Sequence, residues 1–445
     1  MPVTAVIEPL AWEDVEILRL ESRTIAGHAL KIAILHPARH SARPDADALR
    51  TRVAERIWRA PRLRCKLRVG DGRRNSVWVD DPTFDVREHV RAVPVVEPVS
   101  EDGLRRVVAR VMEEHLERSR PLWTLDVLER MADGDVCVIW KIHHALADGV
   151  TAMRFVADVL WDAPIGAGHF GHESTAAGTL GALRGALSAR RPGRLPPTLR
   201  RELSRSHHRS PFEGDLGGAR LVAFASLPLG AVKRAAKTLV ETATVNDVVL
   251  ALVAGALRRS ARRAGPLGTV RVRVPVSLHH RAETSAVANR DSFFVVSLPV
   301  EEPDPVERLR RISAETVLCK RAGDPFVLDT LFRDLAHVAP PLRRALERLA
   351  GHPRAFALNV SSLAGPVERP SVLGAPVRAL YSIAEIGERH GLRVAVVSMA
   401  DELHFGLCAD PAIVRDLDPL VTGILAEASA LLERSGAGGA METEA

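Results

Sequence analysis

Asp135-Val-Cys-Val-Ile-Trp-Lys-Ile-His-His-Ala-Leu-Ala-Asp-Gly149 decides how the rest of the chain is read. Val136 to Ile142 is an apolar, partly β-branched run broken only by Lys141, which predicts a buried strand. Val150 to Leu160 then carries helical spacing, so the two histidines fall at a strand-to-helix junction. Strand side chains alternate between faces, so His144 shares a face with Val136, Val138, Trp140 and Ile142, while His143 sits with Cys137, Ile139 and Lys141. Imidazoles on opposite faces do not grip one ion, so no metal is expected, although His-His-x3-Asp invites a metal reading. An imidazole with a pKa of about 6.5 at a partly buried strand end suits a general base taking a proton from a hydroxyl or thiol. No Gly-x-Ser-x-Gly elbow accompanies it, so a serine triad has no support. The alternative is that both histidines are satisfied core residues and Asp148-Gly149 a plain turn before a helix.

Outward from this junction, helix and strand patterns alternate. The first half reads as a helix over Glu13–Arg19, a strand over Ala29–Leu35, a helix over Asp45–Arg59, a strand over Arg62–Arg68 and a helix over Glu101–Arg118. From Ala163 to about Gly218 the composition shifts to Gly, Pro, Ser, His and Arg, which marks a crossover linker. The mixed pattern resumes with a strand at Leu221–Ala225 and helices at Gly230–Thr238 and Val245–Arg262. Strands follow at Val270–Val276, Phe293–Pro299, Phe356–Val360 and Val377–Ile383, and a hairpin pairs Leu392–Ser398 with Leu403–Ala409. The expected organisation is an α/β protein: a lobe over residues 1–165 carrying the histidine motif, a linker over 166–218 and a second lobe over 219–445, with a site between the lobes.

Composition narrows the function classes. The 445 residues contain 46% hydrophobic and 26% charged residues, as in folded globular chains and unlike disordered ones. Arg outnumbers Lys 55 to 6, a bias that GC-rich coding explains without any guanidinium chemistry. A net charge of +6 spread over the chain, with no aromatic-interleaved basic stripe, gives no reason to expect nucleic acid. Cys65, Cys137, Cys319 and Cys408 lie far apart with no Cys-x-x-Cys pair, so neither a disulfide framework nor a zinc site is expected and a reducing cytoplasm fits. The acidic start MPVTAVIEPLAWEDVEIL is unlike a signal peptide, and no apolar run of about 18 residues occurs.

The junction and its neighbours together resemble the bacterial wax ester synthase/diacylglycerol acyltransferase family, within the CoA-dependent acyltransferases that carry His-His-x3-Asp-Gly. Upstream, Leu18-Arg-Leu-Glu21 and Gly27-His28 resemble the family's opening, and Ser119-Arg-Pro-Leu-Trp123 its Pro-Leu-Trp signature. Downstream, Thr244-Val-Asn-Asp-Val-Val-Leu250 resembles the Asn-Asp helix start. Pro275-Val-Ser-Leu278 with Ala288-Asn289, and Pro303-Asp-Pro-Val-Glu-Arg-Leu309, resemble the elements after it. One departure bears on the acceptor rather than on the fold. The family usually reads Ser-Asn-Val-Pro-Gly-Pro where this chain has Ser361-Ser362-Leu363-Ala364-Gly365-Pro366, and Ala288 stands where Gly is usual.

The resemblance implies two chloramphenicol-acetyltransferase-like lobes, each a mixed sheet flanked by helices, with a channel between them. It implies an O-acyltransferase that moves a fatty acyl group from acyl-CoA, a substrate rather than a bound cofactor, to diacylglycerol or a long-chain alcohol. His144 is then the base, and His143 buttresses its loop. Asp148 is structural and paired with an arginine, for which Arg64 is the candidate, its alternative being an exposed surface charge. Gly149 allows a positive φ or a close approach, or is an ordinary helix-start glycine. Asn246 orients the base or an oxyanion, while Thr244 and Asp247 also make a capping box that needs no site role. Pro121, Leu122 and Trp123 pack the histidine strand, or Trp123 lines an acyl channel. Ser361 and Ser362 bear on substrate. The linker stretch Thr179–Arg191, with leucines on one face and arginines nearby, reads as a solvated linker or an interfacial helix, so peripheral contact with a membrane or lipid droplet is the partner expected beside the substrates. A condensation-type enzyme esterifying a secondary metabolite, and an inactive acyl-binding homologue, remain the alternatives.

Overall fold

The computed structural model describes residues 7–38, 43–70, 76–163, 210–264, 270–277, 291–322, 348–387 and 389–436. The linker stretch 179–191 and the Ala288-Asn289 turn lie outside the described residues. In chain order the first half gives β1 (Ile7–Pro9), α1 (Trp12–Leu20), β2 (His28–Leu35), α2 (Ala46–Arg56), β3 (Cys65–Arg68), β4 (Val77–Asp80), α3 (Val86–His89), β5 (Val90–Ala92), α4 (Glu101–Glu113), β6 (Trp123–Leu128), β7 (Val136–His143) and α5 (Gly149–Val159). The second half gives β8 (Leu221–Pro228), α6 (Leu229–Leu239), α7 (Val245–Ala264), β9 (Val270–Ser277), β10 (Asp291–Leu298), α8 (Pro305–Ala322), β11 (Leu358–Ala364), β12 (Ser371–Val372), β13 (Ala375–Ala384), β14 (Leu392–Met399), β15 (Glu402–Ala409) and α9 (Asp418–Arg434).

Local chemistry explains the helix starts that matter. Ser100 caps α4, its hydroxyl accepting from Gly103 N–H at 3.2 Å, and Glu101 and Asp102 add negative charge to the first turn. Leu104, Val107, Val108, Val111 and Met112 then recur on one face of α4 and are buried. The helix stops at Glu113 rather than continuing to Arg118, because Glu114 is already extended.

Among the described residues, one six-stranded sheet has the order β12-β13-β2-β7-β6-β5 and another β10-β9-β11-β14-β15-β8. Both are mixed: β5 runs parallel to β6, β11 parallel to β9 and β14, and the other pairs are antiparallel. The histidine strand β7 lies inside the first sheet with every residue buried, which is why it carries a continuous apolar run.

The lobes are not sequential blocks. β12 and β13 come from the second half yet join the first sheet beside β2, with Ser382 opposite Lys31 and Tyr381 opposite Ile32. A lobe boundary near residue 218 therefore fails for residues 371–384. β13 passes so close to β15 that a Cβ on Gly406 would lie 2.2 Å from the Ser382 carbonyl oxygen. Val397 and Met399 of β14 are buried in the apolar cluster of the first lobe, and Leu363 at the end of β11 packs against it. The two lobes thus share a core along the seam where the histidine strand ends.

Candidate active site

β7 ends in a tight turn. His143 N–H donates to Leu122 O at 3.0 Å and His144 N–H to Gly27 O at 2.9 Å, while Leu146 and Ala147 N–H return to His143 O at 2.9 and 3.2 Å. Asp148 then caps α5, its Oδ1 accepting from Thr151 N–H at 2.7 Å. A carboxylate at a helix N-terminus satisfies an orphan N–H and meets the positive end of the helix dipole. From Lys141 through Asp148 every residue is buried except His144, which is partly exposed.

The two faces of β7 differ in what holds them. His143 Nδ1 accepts the Ala145 N–H at 3.0 Å, so its proton sits on Nε2, which lies against the Glu21 carboxylate. Gly27, at φ 67°, lets the chain pass there, since a Cβ would come within 2.7 Å of His143 Nε2. On the same face Lys141 Nζ donates to Val111 O and Glu114 O, both at 3.0 Å, and His28 Nε2 donates to Met112 O at 2.8 Å. These donors satisfy the carbonyls at the end of α4 and suit the negative end of its dipole. On the other face, burial first, then the charges of Arg393, His143 and Lys31, push the His144 imidazole down to about 3, with Asp148 opposing them. His144 is therefore neutral across the physiological range.

The structure redistributes several expected site residues. Arg64 does not pair with Asp148 as expected. Pro61–Arg64 forms a 3₁₀ turn rather than the start of a strand, and the hairpin register Cys65↔Asp80 sets Arg64 Nη2 3.4 Å from Asp80 Oδ2. Gly149 has no positive φ; it is the first residue of α5, and a Cβ there would meet only Lys31 Nζ, at 4.0 Å. Pro121 and Leu122 are buried, and Trp123 is 0% exposed, with its indole N–H on Leu63 O at 2.7 Å and its ring stacked on Trp140 and His89 at 5.1 and 4.5 Å. Trp123 therefore packs the strand and does not line a channel. An aromatic of that size buries about 150–250 Å², worth roughly 4–6 kcal/mol.

Asp247 is committed to structure. It accepts from Thr244 N–H at 2.8 Å, receives Thr316 Oγ1 at 2.7 Å, and its own N–H lies 3.3 Å from Thr244 Oγ1. Asn246 is partly exposed at the start of α7, and its Oδ1 is buried with no hydrogen-bond partner among the described residues. Ser361 and Ser362 fall on opposite faces of β11. Only Ser361 shares the face of Leu363, which packs on the first lobe. All four cysteines are buried and outside any disulfide, and no cluster of three metal-ligating side chains occurs among the described residues.

Three side chains around the histidines were not among the expected site residues: Glu21, Lys31 and Arg393. Glu21 lay within the quoted Leu18–Glu21 stretch, so its signal was present. Lys31 is a buried ammonium on β2, bonded to Ser382 Oγ at 2.8 Å, and a lysine inside an apolar strand was the available clue. Arg393, on β14, had no sequence signal, because only the seam brings its charge to bear on His144.

The sequence profile of the wax ester synthase/diacylglycerol acyltransferase catalytic domain matches residues 10–178, and that of the WS/DGAT C-terminal domain matches residues 287–431. The chain belongs to the wax ester synthase/diacylglycerol acyltransferase family. It is accordingly an acyltransferase. A putative diacylglycerol O-acyltransferase of Mycobacterium tuberculosis is 30% identical to it over 421 residues, covering 84% of this chain and 80% of the relative. Among solved structures, the wax ester synthase/diacylglycerol acyltransferase from Marinobacter aquaeolei VT8 superposes with a TM-score of 0.70 at 22% identity, covering 96% of this chain and 100% of that one. The first condensation domain of the calcium-dependent antibiotic synthetase superposes at 0.61 and 16% identity, covering 98% of each chain. These likenesses carry the two-lobed fold of the family's expected architecture.

Proposed function

We propose that this wax ester synthase/diacylglycerol acyltransferase family member transfers a fatty acyl group from acyl-CoA to diacylglycerol or a long-chain alcohol, with His144 as general base. The observation that carries the reading is that His144, a neutral imidazole, is the one residue of the buried run from Lys141 to Asp148 that is partly exposed. A neutral imidazole accepts the acceptor's hydroxyl proton as the oxygen attacks the thioester carbonyl carbon. The C–S bond then breaks, and the proton returns to the CoA thiolate. No acyl-enzyme is required. The cationic surroundings that depress the imidazole, Lys31 and Arg393, also favour the negative charge that develops on the carbonyl oxygen.

The names of the relatives support acyl transfer with diacylglycerol as the acceptor class. No helix among the described residues is long and apolar enough to cross a membrane, and we place the protein in the cytoplasm with peripheral contact to lipid through its net positive charge. The second reading, a condensation-type enzyme acting on a secondary metabolite, draws on the altered Ser361–Pro366 stretch. A free-thiol assay of CoA release against diacylglycerol and a panel of alcohols tests the reading. Release with diacylglycerol or a long-chain alcohol supports it. Release only with small polar acceptors moves the function to the second reading, and no release with any acceptor makes the chain an acyl-binding homologue.

A further inference from the structure

Glu21 ends α1 as its C-cap residue and turns its carboxylate onto His143. The His143 side chain is 1% exposed and that of Glu21 14%, so this pair is largely removed from solvent. Arg118 Nη2 holds the other carboxylate oxygen and also donates to Leu18 O at 3.3 Å, which ties Glu21 to the end of its own helix. Burial by itself would raise the Glu21 carboxyl pKa. The hydrogen bonds and charges of His143 and Arg118 outweigh it and hold the group below its ordinary value, so Glu21 is a carboxylate at neutral pH. The same loop is pinned from the second half of the chain, where Glu385 Oε2 accepts Ala26 N–H at 3.2 Å, next to the Gly27 carbonyl that receives His144 N–H.

We propose that Glu21 is a positioning residue for the reaction: by accepting the Nε2–H of His143 it fixes the tautomer whose Nδ1 receives the Ala145 N–H, and so sets the turn that carries His144. The proposal rests on His144 as the base. Without Glu21 the imidazole has two poor choices. With the proton kept on Nε2, a buried N–H lacks its acceptor. With the proton moved to Nδ1, two N–H groups face each other at Ala145. A buried donor without a partner is costly enough to loosen a turn held by a handful of bonds. Arg118 fixes the reach of the carboxylate and balances its charge.

The test uses the full-length protein with ¹⁵N-histidine labelling, with the His143 resonance identified by its loss in His143→Gln. Long-range ¹H–¹⁵N spectra should show the Nε2-protonated tautomer in the parent and in Glu21→Gln, whose amide oxygen still accepts. Glu21→Ala should lose that tautomer and lower kcat up to about 100-fold with KM for acyl-CoA within about twofold. Glu21→Gln should recover most of that loss. Glu21→Asp, which keeps the charge but shortens the reach, covers the case in which Glu21→Ala does not fold, and should show an intermediate kcat and a mixed tautomer. An unchanged tautomer in Glu21→Ala or Glu21→Asp, or a raised KM at constant kcat, overturns the proposal. The spectra need no turnover, so failure to find an acceptor strikes the proposed function and leaves the Glu21 assignment to its own readout.

Discussion

On the α4 side of β7, Lys141 and His143 are locked: both are buried, each is bonded to backbone, and each faces a carboxylate from another element. On the opposite side His144 shares its strand end and its residue type with His143, yet it is partly exposed. The difference teaches that adjacent identical residues divide holding and reacting because a strand sends them to different faces. The face packed on α4 meets carbonyls that need donors. The face at the seam meets the charges of Lys31 and Arg393.

The comparison is broken most directly by His144→Ala, which should lower CoA release by about 10²–10⁴-fold while leaving the melting temperature and acyl-CoA binding near parent values. Full activity in that variant would remove the base. His143→Ala should lower both rate and stability, by about 1–3 kcal/mol in urea unfolding, since it leaves the Ala145 N–H without its acceptor and Glu21 with Arg118 alone. A lost rate at unchanged stability would move His143 to direct chemistry.

Smaller effects sharpen the picture around Asp148. As a helix cap its replacement by Ala should cost about 1–2 kcal/mol, and Arg64→Ala, which breaks a half-exposed pair with Asp80, no more than about 1 kcal/mol. The two losses should add in a double-mutant cycle. A coupling above about 0.5 kcal/mol would restore the Arg64–Asp148 pair. The smallest expected change is in kcat/KM between pH 7.5 and 5.5. An ordinary imidazole would lose about tenfold there, whereas His144, held near 3, should stay within about twofold while the protein remains folded. Stability behaves differently, and its sign follows from the same depression. His144 at about 3, and His390 and His404 at about 4, stay neutral when folded, whereas the unfolded chain takes up protons near 6.5. Stability is then full above about pH 6.5 and falls below it, by up to about 1.4 kcal/mol per pH unit for each such histidine. Urea unfolding at pH 7.5, 6.0 and 5.0 measures it.

Periodicity and residue type by themselves determined the strand-to-helix junction, the opposite faces of His143 and His144, the Leu392–Ala409 hairpin and the capping box at Thr244. Each depends on neighbours a few residues apart, where backbone geometry is set locally. Local pattern also misled: Arg62–Arg68 alternates like a strand, but Pro61 starts a 3₁₀ turn that swings Arg64 toward Asp80. What only the tertiary structure decided is pairing between distant segments. That β13 leaves its own half to flank β2, that Glu21 closes on His143, and that Lys31 and Arg393 lower the His144 pKa all depend on which buried surfaces meet. An apolar strand such as Val377–Ile383 can pair with any open edge of matching length, so its composition predicts burial and leaves the partner to the packing of the whole chain.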